Sequence, residues 1–289
     1  MAGCRLGALG AYGADQVGRH ALSAGSRSFT VRTLDGRTRS FIVFGSRNAS
    51  GKRPLVLVYH GAGDTAAGTE ASTDFAFTAK QHGLVVAFMQ GYANTWNEGA
   101  GNTPAHAAGV DDVQYTEAVI GRIEQSYSID TTRIAATGFS NGALLTQLLG
   151  CRLATRVVAI IPVEGQIPAS ISAGCRPRLP ISVLEVHGTD DTTIPYAGGH
   201  FVGVGGGTTV LSAVASAARW AALDRCAHSQ KTRAGSIRQT TYSRCRSGVV
   251  VDLHTIVGGR HRWPTGIGLL VADFLHYNPR AARGRHSSS

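Results

Sequence analysis

Arg133-Ile134-Ala135-Ala136-Thr137-Gly138-Phe139-Ser140-Asn141-Gly142-Ala143 runs directly into Leu144-Leu145-Thr146-Gln147-Leu148-Leu149. The opening residues have strand character and the closing ones helical character. Between them a serine stands between two glycines, at a strand-to-helix turn. Such a turn is tight and strained, so its flanking positions must be small enough to pass the neighbouring strand and helix. It presents the serine at a helix N-terminus, where backbone N–H groups and the helix dipole favour developing negative charge. The stretch reads as a nucleophile elbow. Whether it acts as one depends on an acid and a histidine further along the chain.

Outward from the elbow, buried strands alternate with helices. Residues 54–59 form a continuous apolar run, the mark of a strand covered on both faces. Residues 84–89 are of the same kind, and 157–161 and 181–186 read as further strands. Helical patterns cover 68–82, 111–127, 209–223 and 266–277, and 240–257 reads as strand material. Residues 28–33 and 37–44 alternate on either side of Leu34-Asp35-Gly36, which predicts a hairpin at a sheet edge. Together these predict an α/β fold, a mostly parallel central sheet flanked by helices, in a single domain over 27–278. Residues 1–26 read as a flexible leader or tether, and 279–289 as a disordered basic tail.

The chain has 289 residues, 43% hydrophobic and 16% charged, enough for one large domain with a sizeable core. No run of 18 or more apolar residues offers a membrane-spanning helix. The net charge is +10, with basic residues scattered except for Arg280, Arg283 and Arg285. There is no basic helix and no basic-aromatic platform, so no nucleic-acid partner is expected. A basic protein near anionic cell-envelope polymers fits better. Cys151 and Cys175 lie about 25 residues apart, and Cys226 and Cys245 about 20, with no C-x-x-C pair to form a zinc ribbon. Two local disulfides in an exported protein fit, each worth roughly 3 kcal/mol; ordinary buried thiols are the alternative. The fifth cysteine sits in Met1-Ala2-Gly3-Cys4, which resembles the end of a bacterial lipoprotein signal without its basic and apolar regions. The expectation is a secreted protein, with lipidation of Cys4 its one route to a membrane and an accidental resemblance the alternative.

A serine hydroxyl is a poor nucleophile until a histidine takes its proton and a carboxylate orients that histidine. At a sheet of this kind the order is serine, acid, histidine, each just after a strand. Asp190 and Asp191, in His187-Gly188-Thr189-Asp190-Asp191-Thr192, are the acid candidates, with turn capping as their other reading. His261, in Val257-Gly258-Gly259-Arg260-His261-Arg262-Trp263-Pro264, is the histidine candidate. His254 reads as an in-strand side chain, and His187 as fixing the acid loop. An oxyanion hole needs two backbone donors, expected from Asn141 N–H and Ala62 N–H, the latter in Tyr59-His60-Gly61-Ala62-Gly63. Asp111 and Asp112 read as helix capping and dipole compensation, or as support for Trp96. Trp96, Tyr92, Tyr196 and Trp263 fall in loops at the same sheet edge. They read as an aromatic cleft for a phenolic or sugar ester, or as packing under loops. The Gly203–207 stretch is no nucleotide loop, since no Lys-Ser/Thr follows.

These residues carry a resemblance to the polyhydroxybutyrate depolymerase-like esterases, secreted α/β hydrolases that include feruloyl and acetyl-xylan esterases and bacterial lipoprotein esterases. The matching pieces are Tyr59-His60-Gly61, Trp96-Asn97-Glu98-Gly99, Gly109-Val110-Asp111-Asp112-Val113, Gly138-Phe139-Ser140-Asn141-Gly142, His187-Gly188-Thr189 with Asp191 and Pro195-Tyr196, and Gly258-Gly259 with His261 and Trp263-Pro264. They span about residues 27–277. The resemblance implies an α/β-hydrolase fold with Ser140, Asp191 rather than Asp190, and His261 as catalytic residues. It also implies pairing of Cys151 with Cys175 and of Cys226 with Cys245. Arg260 replaces the usual glycine before the histidine, and Ala62 a frequent cysteine; neither substitution removes a catalytic group. The expected function is a secreted serine carboxylic-ester hydrolase working through an acyl-enzyme. It would act as a monomer on feruloyl, acetyl-xylan or related small esters, or on a polymeric ester, with no metal and no cofactor. Polyester depolymerisation, a peptidase on the same scaffold, and a non-catalytic envelope-binding role are the alternatives.

Overall fold

Leu55, Leu57 and Tyr59 pack on one side of their strand and Val56 and Val58 on the other, all five fully buried. Two faces buried along one strand require helices above and below the sheet, and the computed structural model has them. It describes residues 23–47, 50–101, 103–204 and 206–278. Cys4, most of the expected leader and the 279–289 tail lie outside the described residues.

The strands are β1 (Ser26–Arg32), β2 (Thr38–Phe44), β3 (Arg53–Tyr59), β4 (Val85–Met89), β5 (Ile129–Phe139), β6 (Ala159–Val163), β7 (Ser182–Gly188), β8 (Gly199–Gly203), β9 (Gly206–Val210), β10 (His228–Ala234), β11 (Ile237–Ser243) and β12 (Val251–Ile256). The helices are α1 (Ala66–Ser72), α2 (Phe75–His82), α3 (Pro104–Ala107), α4 (Asp112–Glu124), α5 (Asn141–Arg152), α6 (Ala169–Ser172), α7 (Ala213–Leu223) and α8 (Ile267–Tyr277). Ten strands form one sheet in the order β1-β2-β4-β3-β5-β6-β7-β12-β11-β10. From β4 through β12 every pairing is parallel. The predicted β1–β2 hairpin is antiparallel and forms one edge. A β10–β11 ribbon forms the other.

Helices α4, α5 and α7 cover one face through Tyr115, Val119, Ile120, Leu145, Leu149 and Trp220. Helices α1, α2 and α8 cover the other through Ala66, Phe75, Ala79, Val271 and Leu275. A buried Leu, Ile or Phe stabilises by about 1.5–3 kcal/mol, so these faces supply the drive to fold. Residues 68–82 prove to be two helices rather than one: Thr73 takes an extended conformation, and Asp74 begins the second helix. The disulfides Cys151–Cys175 and Cys226–Cys245 are both formed. The first ties the end of α5 to the segment before β7, and the second ties the end of α7 to the segment after β11. No helix of the described residues is long and apolar enough to cross a membrane.

Candidate active site

Ser140 ends β5 and begins α5 with φ 55° and ψ −120°, a conformation a serine rarely adopts. Its neighbours must be glycines. A Cβ at Gly138 would lie 2.3 Å from the Gly142 carbonyl oxygen, and one at Gly142 would lie 2.4 Å from the Tyr59 carbonyl oxygen. Ser140 N–H donates to Val163 O at 3.0 Å, which fixes the turn against β6.

Strands β7 and β12 are parallel neighbours, so the loops that follow them meet. Thr189 N–H donates to Ile256 O at 2.9 Å, and Asp190 N–H to Gly259 O at 2.8 Å. This brings His261 onto Asp191. His261 Nδ1 lies 2.7 Å from Asp191 Oδ2, and Nε2 lies 2.9 Å from Ser140 Oγ. With Nδ1–H donating to the carboxylate, Nε2 is left to accept the serine proton. Asp191 Oδ1 accepts from Thr193 N–H at 2.7 Å and Ile194 N–H at 2.9 Å. The imidazole packs on Phe139, ring centres 4.7 Å apart. Asp190 is exposed, and among the described residues its carboxylate accepts only from the Thr189 hydroxyl, at 2.9 Å.

Glu164, which sequence reading passed over, stands in a left-handed conformation (φ 52°) at the end of β6. Both its oxygens accept from Gly188 N–H, at 3.0 and 3.1 Å. His187 Nε2 donates to Ile194 O at 2.9 Å and lies 3.3 Å from carboxyl oxygens of both Glu164 and Asp191. Burial and the charge of Asp191 push the Glu164 carboxyl up to about 9, against the Gly188 N–H that lowers it. Burial also acts to raise Asp191, but hydrogen bonds from His187 and His261 outweigh it and hold the carboxyl well below the usual range. One acid therefore keeps its proton and the other keeps its charge, as two adjacent buried carboxyls require. Among the described residues Glu164, His187 and Asp191 are the set whose donor atoms converge as metal ligands would. All three are already engaged by protein partners. A single acid ending the apolar run 159–163 was the signal available for Glu164.

On the opposite side of Ser140 lies the β3 loop. His60 is fully buried; Nδ1–H donates to Gly61 O at 2.8 Å, and Nε2 accepts from Gly91 N–H at 3.0 Å. Burial pulls its pKa down to about 4, so it stays neutral and holds the loop. Ala62 N–H and Asn141 N–H donate to nothing among the described residues and flank the cleft. The Asn141 side chain accepts from Trp96 N–H at 2.8 Å, and Trp96 Nε1–H donates to His60 O at 2.8 Å. Asp111 caps α4 through Gln114 N–H at 2.9 Å. Asp112 is buried against Arg39 at 2.8 Å and accepts from Asn97 N–H at 2.7 Å, so it does support the Trp96 loop.

The cleft at Ser140 has a volume of about 260 Å³, with walls that include Ala62, Asn141, Glu98, Phe201, Val204 and His261. The predicted aromatic lining is corrected. Trp96 is fully buried beneath the cleft. Tyr196 bonds Thr255 at 2.8 Å and packs on His187, and Trp263 packs on Phe139 and Phe75. None of the three lines it. In each case packing under a loop won over exposure to a ligand. The apolar wall comes instead from the β8–β9 hairpin, which the glycine-rich 203–207 stretch hid.

Residues 42–203 match the model of the phospholipase/carboxylesterase family, over half of the chain. The chain belongs to that family. It is 33% identical over 229 residues to feruloyl esterase B of Piromyces equi, covering 77% of this chain and 41% of that protein. It is 26% identical over 161 residues to a bifunctional acetylxylan esterase/xylanase of Neocallimastix patriciarum, covering 56% of this chain and 22% of that one. The chain thus spans less than half the length of these relatives. An acetyl xylan esterase from Aspergillus awamori superposes with a TM-score of 0.62 at 12% identity, over 87% of this chain and 99% of that one. A feruloyl esterase module from Clostridium thermocellum gives 0.57 at 16% identity, over 90% of each. These likenesses show the α/β-hydrolase fold of the family, in agreement with the resemblance read from the motifs.

Proposed function

We propose that the chain is a serine esterase that hydrolyses carboxylic esters in two steps. The observation that carries this reading is the unbroken run of hydrogen bonds from Ser140 Oγ through His261 to Asp191. In the first step Ser140 Oγ attacks the ester carbonyl while His261 Nε2 takes its proton. The oxyanion is held by Ala62 N–H and Asn141 N–H. The C–O bond to the alcohol then breaks, His261 protonates the leaving alcohol, and an acyl-serine remains. In the second step water, deprotonated by His261, attacks the acyl carbonyl; the acyl–Oγ bond breaks, His261 returns the proton to Ser140 Oγ, and the acid leaves. Asp191 stabilises the imidazolium and fixes its tautomer, and Glu164 holds one proton beside it.

At about 260 Å³ the cleft lies at the small end of ligand sites, which run from about 300 Å³ upward. That favours a compact acyl or alcohol group, of the feruloyl or acetyl-xylan kind for which the relatives are named, over a long polyester segment. The two disulfides support export. The test is hydrolysis of short p-nitrophenyl esters, methyl ferulate, acetylated xylan and a polyhydroxybutyrate suspension by wild type and Ser140→Ala. Ser140-dependent cleavage of one class supports the reading. Cleavage that survives Ser140→Ala, or none by a folded wild type, ends it.

A further inference from the structure

Glu98 takes part in none of the steps above. It follows Trp96 and Asn97 in the loop between β4 and α3, and its side chain is fully buried. Among the described residues, neither of its carboxyl oxygens has a hydrogen-bond partner. The other acids near the site are satisfied: Asp112 by Arg39 and Asn97, Asp191 by His261 and two N–H groups, Glu164 by Gly188. Folded proteins leave few buried polar atoms unpaired, and those they leave call for a reason. A loose loop is not the reason here. Trp96 N–H is held by Asn141, and Asn97 N–H and its side-chain amide are held by Asp112 and Val110, at 2.7–2.8 Å. These bonds pin the loop just before Glu98, the Ser170 hydroxyl donates to Gly99 O at 3.2 Å just after it, and Glu98 forms part of the wall that faces Ser140 and His261.

The chemistry of its partner follows from the surroundings. No cation of the described residues pairs with Glu98. Burial pushes its carboxyl up to about 7; its own backbone N–H and the Asn141 amide, which lie near it without forming a hydrogen bond of good geometry, lower it by less, and the charge of Asp112 adds to the rise. At neutral pH about half of the molecules therefore carry it as an uncharged acid, with one O–H to donate and one carbonyl to accept, and below neutrality most do. Exposed Arg260 and Arg262 flank His261 and disfavour a cationic ligand at the rim. An alcohol hydroxyl both accepts from such an acid and donates to it.

We propose that Glu98 is the specificity residue of the cleft and hydrogen-bonds a hydroxyl of the ester substrate. This rests on the esterase reading above. Entry of the substrate hydroxyl satisfies a carboxyl that the protein's own described groups leave unpaired, so an ester lacking that hydroxyl leaves a buried acid without a partner.

The test uses pairs of esters that differ by one hydroxyl: ethyl butyrate against ethyl 3-hydroxybutyrate in the acyl part, and propyl acetate against 2-hydroxypropyl acetate in the alcohol part. Wild type, Glu98→Gln and Glu98→Met are compared by the ratio of kcat/KM within each pair, so that a general loss of activity cancels. Wild type should favour the hydroxylated member of at least one pair by about fivefold or more. Glu98→Gln, which can still donate and accept, should keep the preference, and Glu98→Met should lose it. If Glu98→Met does not fold, Glu98→Ala makes the same comparison. Equal ratios in wild type and the apolar variant would overturn the inference alone. A loss in Glu98→Gln as large as in Glu98→Met would point to charge recognition and overturn it as well. A wild type that hydrolyses none of these four, nor the p-nitrophenyl esters, methyl ferulate, acetylated xylan or polyhydroxybutyrate, would remove the esterase reading, and this inference with it; hydrolysis of those substrates but of none of the four would overturn the inference alone.

Discussion

Replacing Asp191 by Asn changes one atom in the middle of the hydrogen-bond run. The Asp191 carboxylate accepts from Thr193 and Ile194 N–H on Oδ1 and from His261 Nδ1 on Oδ2. An Asn of the same shape must keep its oxygen toward the two backbone donors. Its NH2 then faces His261 Nδ1 at about the same 2.7 Å, and only an unprotonated Nδ1 can accept from it. The ring proton moves to Nε2, which faces Ser140 Oγ at 2.9 Å and can no longer take the serine proton. In triads of this kind the wrong tautomer costs about 10⁴ in kcat, or about 5 kcal/mol of transition-state stabilisation. Asp190→Asn touches an exposed carboxylate whose partner is the Thr189 hydroxyl, and should stay within about twofold of wild type. The assay is kcat on a short p-nitrophenyl ester at pH 8, with circular dichroism to show that both variants fold. Equal losses in the two variants, or a larger loss in Asp190→Asn, would refute the reasoning.

The tight passage of α5 past β3 makes Gly142→Ala a test of the elbow's packing. Its Cβ would meet two backbone carbonyls, at 2.4 and 2.6 Å, so a loss of about 1–3 kcal/mol is expected in denaturant unfolding, together with loss of hydrolysis; a variant as stable and active as wild type would contradict it. Glu185 is buried and accepts from Gln147 and Ser216 on one oxygen only, and burial raises its pKa from 4.5 to about 7. Because the folded value is the higher, its contribution to stability is full below about 4.5 and is lost as pH rises to about 7, a span worth about 3 kcal/mol at most. Glu185→Gln should therefore flatten the fall in thermal stability between pH 4.5 and 7; an unchanged slope would show that Glu185 is not its source.

The parts of the molecule legible in the sequence are those where one physical demand dominates. Continuous apolar runs such as 54–59, too short for a helix and bounded by turn residues, mark strands buried on both faces, and they gave the parallel centre of the sheet. Ser140, the Asp190–Asp191 pair and His261 follow β5, β7 and β12, so the chain order and the sheet edge pointed to them, and the family resemblance chose Asp191 over Asp190. His187 was read as fixing the acid loop, and its bond to Ile194 does that. The rest lacked such a signal. Strand β10 is exposed along its whole length and carries no apolar alternation. The β8–β9 hairpin is built largely of glycine and exposed residues, yet it supplies Phe201 and Val204 to the cleft. Trp96 and Trp263 sit in loops, and no pattern in a sequence distinguishes an aromatic beneath a cleft from one inside it. Glu98 and Glu164 are single acids whose meaning depends on the partners that the fold withholds or supplies.

The central claim is that Ser140 is a nucleophile activated by His261. A fluorophosphonate, which loses fluoride to an activated serine and leaves a phosphonate ester on it, tests it directly when the labelled protein is digested and its peptides are weighed. The adduct should fall on the peptide holding Ser140, at one per chain, and should vanish in both Ser140→Ala and His261→Ala while those variants remain folded. Labelling at another residue, or undiminished labelling in folded His261→Ala, would contradict the account.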